Sequence, residues 1–318
     1  MTQELETKDG SVASAHPADA QGKPAVSGHQ GKPRQHDKVT RMGTESIPRL
    51  ITEFAVPSIL GMLVNGAYNV IDSIFLGQAM GEIGLSTATV AMPIMTVFMA
   101  IAMLVGNGGN ALAALRMGEG KPEEAERSLG NTVTLSLIAS VVVAIAMFVP
   151  ACINGLLSVS GATPEDWDYA MQFIRIISLG FIFQCIGMGV NNFIRTAGAP
   201  NRALATMIIG AVACTVLNAL FVLVMGMGVV GSALATVCGQ AISCATVLWY
   251  FCLTKGVPMR LRLHMMPLHG ETVRLILSLG LASFAVQAGM AAVNFVLNNL
   301  LNMYGAQSPI GAEGALAS

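Results

Sequence analysis

From residue 51 onward, long apolar stretches alternate with short polar connections, whereas residues 1–43 contain no apolar run. A helix needs about 20 mainly apolar residues to cross the hydrocarbon core of a bilayer. Seven stretches approach or exceed that length: 54–76, 85–106, 132–149, 169–194, 203–225, 229–253 and 272–303. Thr163-Pro164-Glu165-Asp166 offers an N-cap, a proline at N1 and acids in the first turn, so the fourth span is expected to begin soon after it. The pattern predicts an all-α integral membrane protein.

Lys and Arg give the spans a direction. Every second connection carries them: Arg116, Lys121 and Arg127, then Arg195 and Arg202, then Lys255, Arg260 and Arg262. Residues 77–84, 150–168, 226–228 and 304–318 have none. The positive-inside rule therefore places the N-terminus and the basic connections in the cytoplasm, with the chain multi-pass in the plasma (inner) membrane. Arg175 is the one basic residue inside a span, close enough to the outer end of the fourth to snorkel.

Composition sharpens this picture. The chain is 53% hydrophobic and 11% charged, with a mean hydropathy of +0.64, whereas a soluble domain carries roughly 25% charged residues. Residues 1–49 hold seven of the 17 Lys and Arg and are rich in Gly, Pro, Ser, Gln and His, which predicts a disordered cytoplasmic tail. A formal net charge of −1 leaves no footprint for nucleic acid. The six cysteines form no Cys-x-x-Cys, and all five histidines lie outside the apolar stretches, so neither a metal nor a cofactor is expected. No span supplies a paired Asp, a Ser-His pair or His-Glu-x-x-His, which argues against an enzyme. A retinal protein would need a lysine in the last span, where Arg274 alone is basic.

The seventh span repeats part of the first. At an offset of 225 residues Ser58 meets Ser283, Ala67 meets Ala292, Asn69 meets Asn294 and Leu76 meets Leu301. Six helices followed by a restart are what two parallel repeats would give. The expected organisation is a tail (1–49), a six-helix lobe (50–254), a cytoplasmic linker (255–270) and the first helix of an incomplete second lobe (271–318). Gly106, Gly108 and Gly109 are read as ending the second span, and the other glycines as turns and close helix packing.

Of the 18 acids, only Asp72 falls well inside an apolar pattern. It lies about 34 Å along a helix from Arg49, toward the outer leaflet, where an ionised carboxylate needs a wet cavity or a partner. Asn65, Asn69 and Asp72 share one helical face, with Tyr68 beside them. Gln184 and Asn191, Asn218, and Gln287 with Asn294 and Asn298 bring amides from other spans, and together they would line a polar cavity. In one reading Asp72 takes up and releases a proton or holds Na+, with no other cofactor, and Asn65, Asn69 and Asn218 set its affinity. In the other they are hydrogen-bonding glue between helices.

Several ordered segments resemble the multidrug and toxic compound extrusion (MATE) family in its bacterial branches. They are Phe54–Ile59, Val70–Gly77, Ala91-Met92-Pro93-Ile94, Gly118-Glu119-Gly120-Lys121, Asn192–Pro200 and Gly228–Thr236. The resemblance implies a twelve-helix, two-lobed antiporter that expels small amphipathic, cationic or neutral compounds in exchange for protons or sodium. It assigns Asp72 to the family's ion-coupling aspartate and Asn218 to its fifth-helix site. Two departures stand out. Four positions beyond Asn218 the family commonly has a second aspartate, where this chain has Val222, and the chain stops after the seventh helix. A lipid-linked oligosaccharide flippase of related architecture, or an inactive fragment awaiting a second lobe, are the alternative readings.

Overall fold

The computed structural model describes residues 47–254, 257, 259–262 and 265–304, and every regular element among them is helical. The tail expected over 1–49 lies almost wholly outside the described residues. Helix α1 runs Ile47–Gly118 and changes direction at Gly81, the one position within it with non-helical angles (φ 62°, ψ −137°). A residue without a Cβ adopts that positive φ at little cost. α1 thus has two arms, covering the first two expected spans. The remaining helices are α2 (Pro122–Phe148), α3 (Pro150–Val159), α4 (Trp167–Thr196), α5 (Pro200–Asn218), α6 (Gly228–Leu253) and α7 (Gly270–Tyr304), with a π-helical segment, Ala219–Val224, continuing α5. Six helices among the described residues are long and apolar enough to span a membrane. The first arm adds the shorter apolar stretch Ile51–Val64, which overlaps the first expected span.

Boundaries moved for identifiable reasons. α2 starts ten residues before the apolar run, because Pro122 sits in its first turn and Glu123 and Glu124 favour the positive end of the helix dipole. Val149 is extended (φ −77°, ψ 118°), as a residue preceding proline tends to be, and so separates α2 from the unforeseen α3. Regular helix α4 begins at Trp167, one turn after Thr163. The Thr163 amide donates to Asp166 Oδ1 at 2.7 Å, the reach-back half of a capping box with Asp in the Glu position.

The glycines read as ending the second span lie instead inside the second arm, which continues to Gly118. A Cβ on Gly106 would overlap Gly189 of α4, one on Gly108 would overlap the Ile276 carbonyl of α7, and one on Gly109 would overlap the Thr132 hydroxyl of α2. Glycine weakens helices in water, but here it lets three neighbours approach closely.

Two cores follow. Towards the Lys/Arg-free end, Val90, Ile94 and Phe98 of the second arm pack with Ile153 and Leu157 of α3 and Phe173, Ile177 and Phe181 of α4; the Phe98 and Phe181 rings lie 5.2 Å apart. Towards the basic end, Leu129 and Val133 of α2 meet Val190 and Phe193 of α4 and Val247 and Phe251 of α6. α4 belongs to both. Val141, Val142 and Ile145 of α2, Val212 and Val216 of α5, and Leu281, Val286 and Val293 of α7 are exposed, as side chains that face lipid would be.

The connection between α6 and α7 is fastened to α2. Glu126, 7% exposed, accepts from the Arg260 amide at 3.0 Å. Arg262 Nε lies 3.1 Å from its other oxygen as an ion pair whose alignment falls short of a hydrogen bond. Asn131 accepts from the His269 amide at 3.0 Å, and the Thr134 hydroxyl donates to the Met266 carbonyl at 2.9 Å.

Candidate functional site

The first arm carries Asn65, Tyr68, Asn69 and Asp72 in uninterrupted helical backbone. Their side chains lie outside the described residues.

Asn218 is 1% exposed and is the last residue of α5. Beyond it the helix widens: Met225 donates to the Leu220 carbonyl at 2.9 Å and Met227 to that of Phe221 at 3.0 Å. These five- and six-residue spacings lead into the turn at Gly226 and Gly228, both at positive φ. π-type segments of this sort recur at functional sites. Val222, at the position of the expected second aspartate, is 2% exposed. It lines a cavity of about 470 Å³ at the Lys/Arg-free end, with Gln78, Tyr169, Gln172, Met227 and Gly228. Among the residues lining it none is charged.

The other amides occupy three separate seams. Asn191, 5% exposed, donates to the Ala203 carbonyl at 3.1 Å and the Thr206 hydroxyl at 2.6 Å, binding α4 to α5. Gln184 lies on the α4 face that packs on α6, between Gly180 against Val237 and Gly187 against Cys244. Its Oε1 is buried without a partner, and so is that of Gln240 at a similar level of α6. Gln287 and Asn294 are half-buried on α7, on the face that carries Gly280 and Asn298 toward the second arm.

Sequence reasoning missed one polar chain. Asn192 Nδ2 donates to Asn107 Oδ1 at 2.9 Å, and Asn107 Nδ2 donates to Ser283 Oγ at 3.1 Å, joining α4, the second arm and α7. One turn on, Thr196 donates to Asn110 Oδ1 at 2.8 Å. Asn107 and Asn110 are three apart, a helical-face signal that ending the second span at Gly106 concealed. Arg175, the interior cation, rests over the Phe148 ring with its guanidinium carbon 6.0 Å from the centroid. Among the described residues no group of His, Cys, Asp and Glu could hold a metal ion.

The MatE family model matches residues 57–220, just over half the chain. The chain belongs to the MATE family. Solved structures agree: the MATE multidrug transporter DinF-BH, in complex with the dye rhodamine 6G, is 33% identical with a TM-score of 0.80, over 86% of this chain and 61% of that one. An inward-facing MATE transporter of the MOP superfamily is 26% identical with a TM-score of 0.75, over 83% and 60%. Multidrug export protein MepA of Staphylococcus saprophyticus is 24% identical over 261 residues, which are 82% of this MATE-family chain and 57% of MepA. The chain therefore spans about 57–61% of the length of these relatives.

Proposed function

We propose that this MATE-family chain contributes the first lobe of a cation-coupled antiporter that exports small amphipathic, cationic or neutral compounds. Its Lys/Arg-free end faces outward and its basic end the cytoplasm. The observation that carries the proposal is the match of 86% of the chain to a MATE multidrug transporter solved in complex with a rhodamine dye. Asp72 exchanges a proton or Na+, and cargo competes with that ion for a cavity around Asp72 and the buried Asn218. Val222 stands where the second site acid is expected, so within this chain the coupling charge falls to Asp72.

The flippase reading is disfavoured by the single interior cation. A pyrophosphate headgroup needs several cations to meet it, and Arg175 is the one basic residue inside an expected span. The test is export of the rhodamine dye from cells that express the chain alone or with a MATE-type second lobe supplied, each beside Asp72→Asn. Export that Asp72→Asn abolishes supports the proposal; export indifferent to Asp72→Asn rejects the ion-coupling role.

A further inference from the structure

Adjacent asparagines near the outer end of α7 reach across to the first lobe. Asn298, 5% exposed, donates through Nδ2 to the Thr89 carbonyl of the second arm at 3.2 Å and to the Ser160 carbonyl at 3.3 Å. Asn299 donates to the Val159 carbonyl and to Phe295 within its own helix. Val159 is the last residue of α3 and Ser160 its C-cap, so these acceptors are carbonyls that a helix end leaves without internal partners. Ser160 is fully buried. The α7 amides thus complete the end of a helix in another part of the molecule.

The frame that receives them is braced. Asp166, 2% exposed, accepts from the Ser86 hydroxyl at 2.6 Å and from the Thr163 amide and hydroxyl, each at 2.7 Å. It therefore ties the start of the second arm to the turn after α3. Asn298 lies 18 residues beyond Gly280, about 27 Å along the helix. At Gly280 α7 packs directly on the Leu104 backbone, with no room for a Cβ between them. A tight crossing at one level and a hydrogen-bonded contact far along the same helix make a pivot and a latch. A small rotation at Gly280 parts the asparagines from their carbonyls. The buried Ser160 carbonyl then needs water, so the seam opens wet or remains shut.

We propose that Asn298 and Asn299 latch the seam between α7 and the second arm on the outer side, and that this seam admits water only when the latch breaks. The latch is the conformational part of the antiporter reading, but its test needs no export, so either can fail alone. Cells would express the full chain with Ser160→Cys as the sole cysteine, and labelling by a membrane-impermeant maleimide would be timed. A sister version keeps only Cys152, which is exposed on the same connection, to establish that the reagent reaches this end. Another keeps only Cys185, buried in the core, to report unfolding.

The latch predicts that Ser160→Cys labels at least ten-fold more slowly than Cys152. It further predicts at least five-fold faster labelling of Ser160→Cys with Asn298→Leu and Asn299→Leu combined, and a smaller gain with Asn299→Ala alone. Cys185 should stay unlabelled throughout. Unchanged Ser160→Cys labelling in both variants overturns the proposal. So does labelling as fast as Cys152 in the parent, or reaction of Cys185 in both variants, which would make the asparagines supports of the fold rather than a latch.

Discussion

Gly280 of α7 lies so close to Leu104 that a Cβ on the glycine would overlap the Leu104 carbonyl oxygen. Gly108, one turn along the second arm, meets Ile276 and Gly280 with the same lack of room. The crossing is formed by backbone, so no side-chain adjustment relieves an added methyl. Gly280→Ala should cost about 1–3 kcal/mol, read as a lower melting temperature of the detergent-solubilised protein. Gly289→Ala, on the same helix with nothing within 4 Å, should leave the melting temperature unchanged or raise it. Equal behaviour of the two would mean that α7 is not held at this crossing.

The Asp166 carboxylate receives two hydroxyls and one amide while nearly excluded from solvent. Removing it strands the Thr163 amide and the Ser86 hydroxyl together. Asp166→Ala is expected to destabilise by about 3 kcal/mol, in the range for hydrogen bonds to a charged group. Ser86→Ala should cost about 1 kcal/mol, because only one donor is lost with its bond. The melting temperatures of the two variants check the order; a larger loss from Ser86→Ala would contradict this account of the turn.

Glu126 holds the α6–α7 connection by the Arg260 amide and the Arg262 guanidinium. Glu126→Ala releases both. Trypsin should then cut after Arg260 and Arg262 about ten-fold faster, the factor that about 1.4 kcal/mol of lost clamp energy produces when local opening limits cleavage. Cleavage at the parent rate would show that the connection is held by Asn131 and Thr134 without Glu126.

Much of this architecture was legible in the sequence, because lipid imposes a length and an apolarity that soluble folds do not. The spans after Gly81, and their alternation with basic connections, fall near the expected positions. The misread features share one cause: most of their partners are backbone atoms, which leave no side-chain code. Gly106, Gly108 and Gly109 looked like a helix end, yet are contact points against three helices. Asn191 is not among them: of its two readings, cavity lining or glue between helices, its Nδ2 bonds to the Ala203 carbonyl and Thr206 hydroxyl of α5 fit the glue. The π-helical turn after Asn218 leads the chain into the turn at Gly226, a geometry that apolar periodicity does not register.

The central claim, that Asp72 couples ion movement to export, is tested most directly by rhodamine efflux from energised cells that express the chain with a MATE-type second lobe, compared with Asp72→Asn at equal membrane abundance. The account predicts that Asp72→Asn reduces efflux at least ten-fold while the protein remains folded and in the membrane. Undiminished efflux through Asp72→Asn would contradict it.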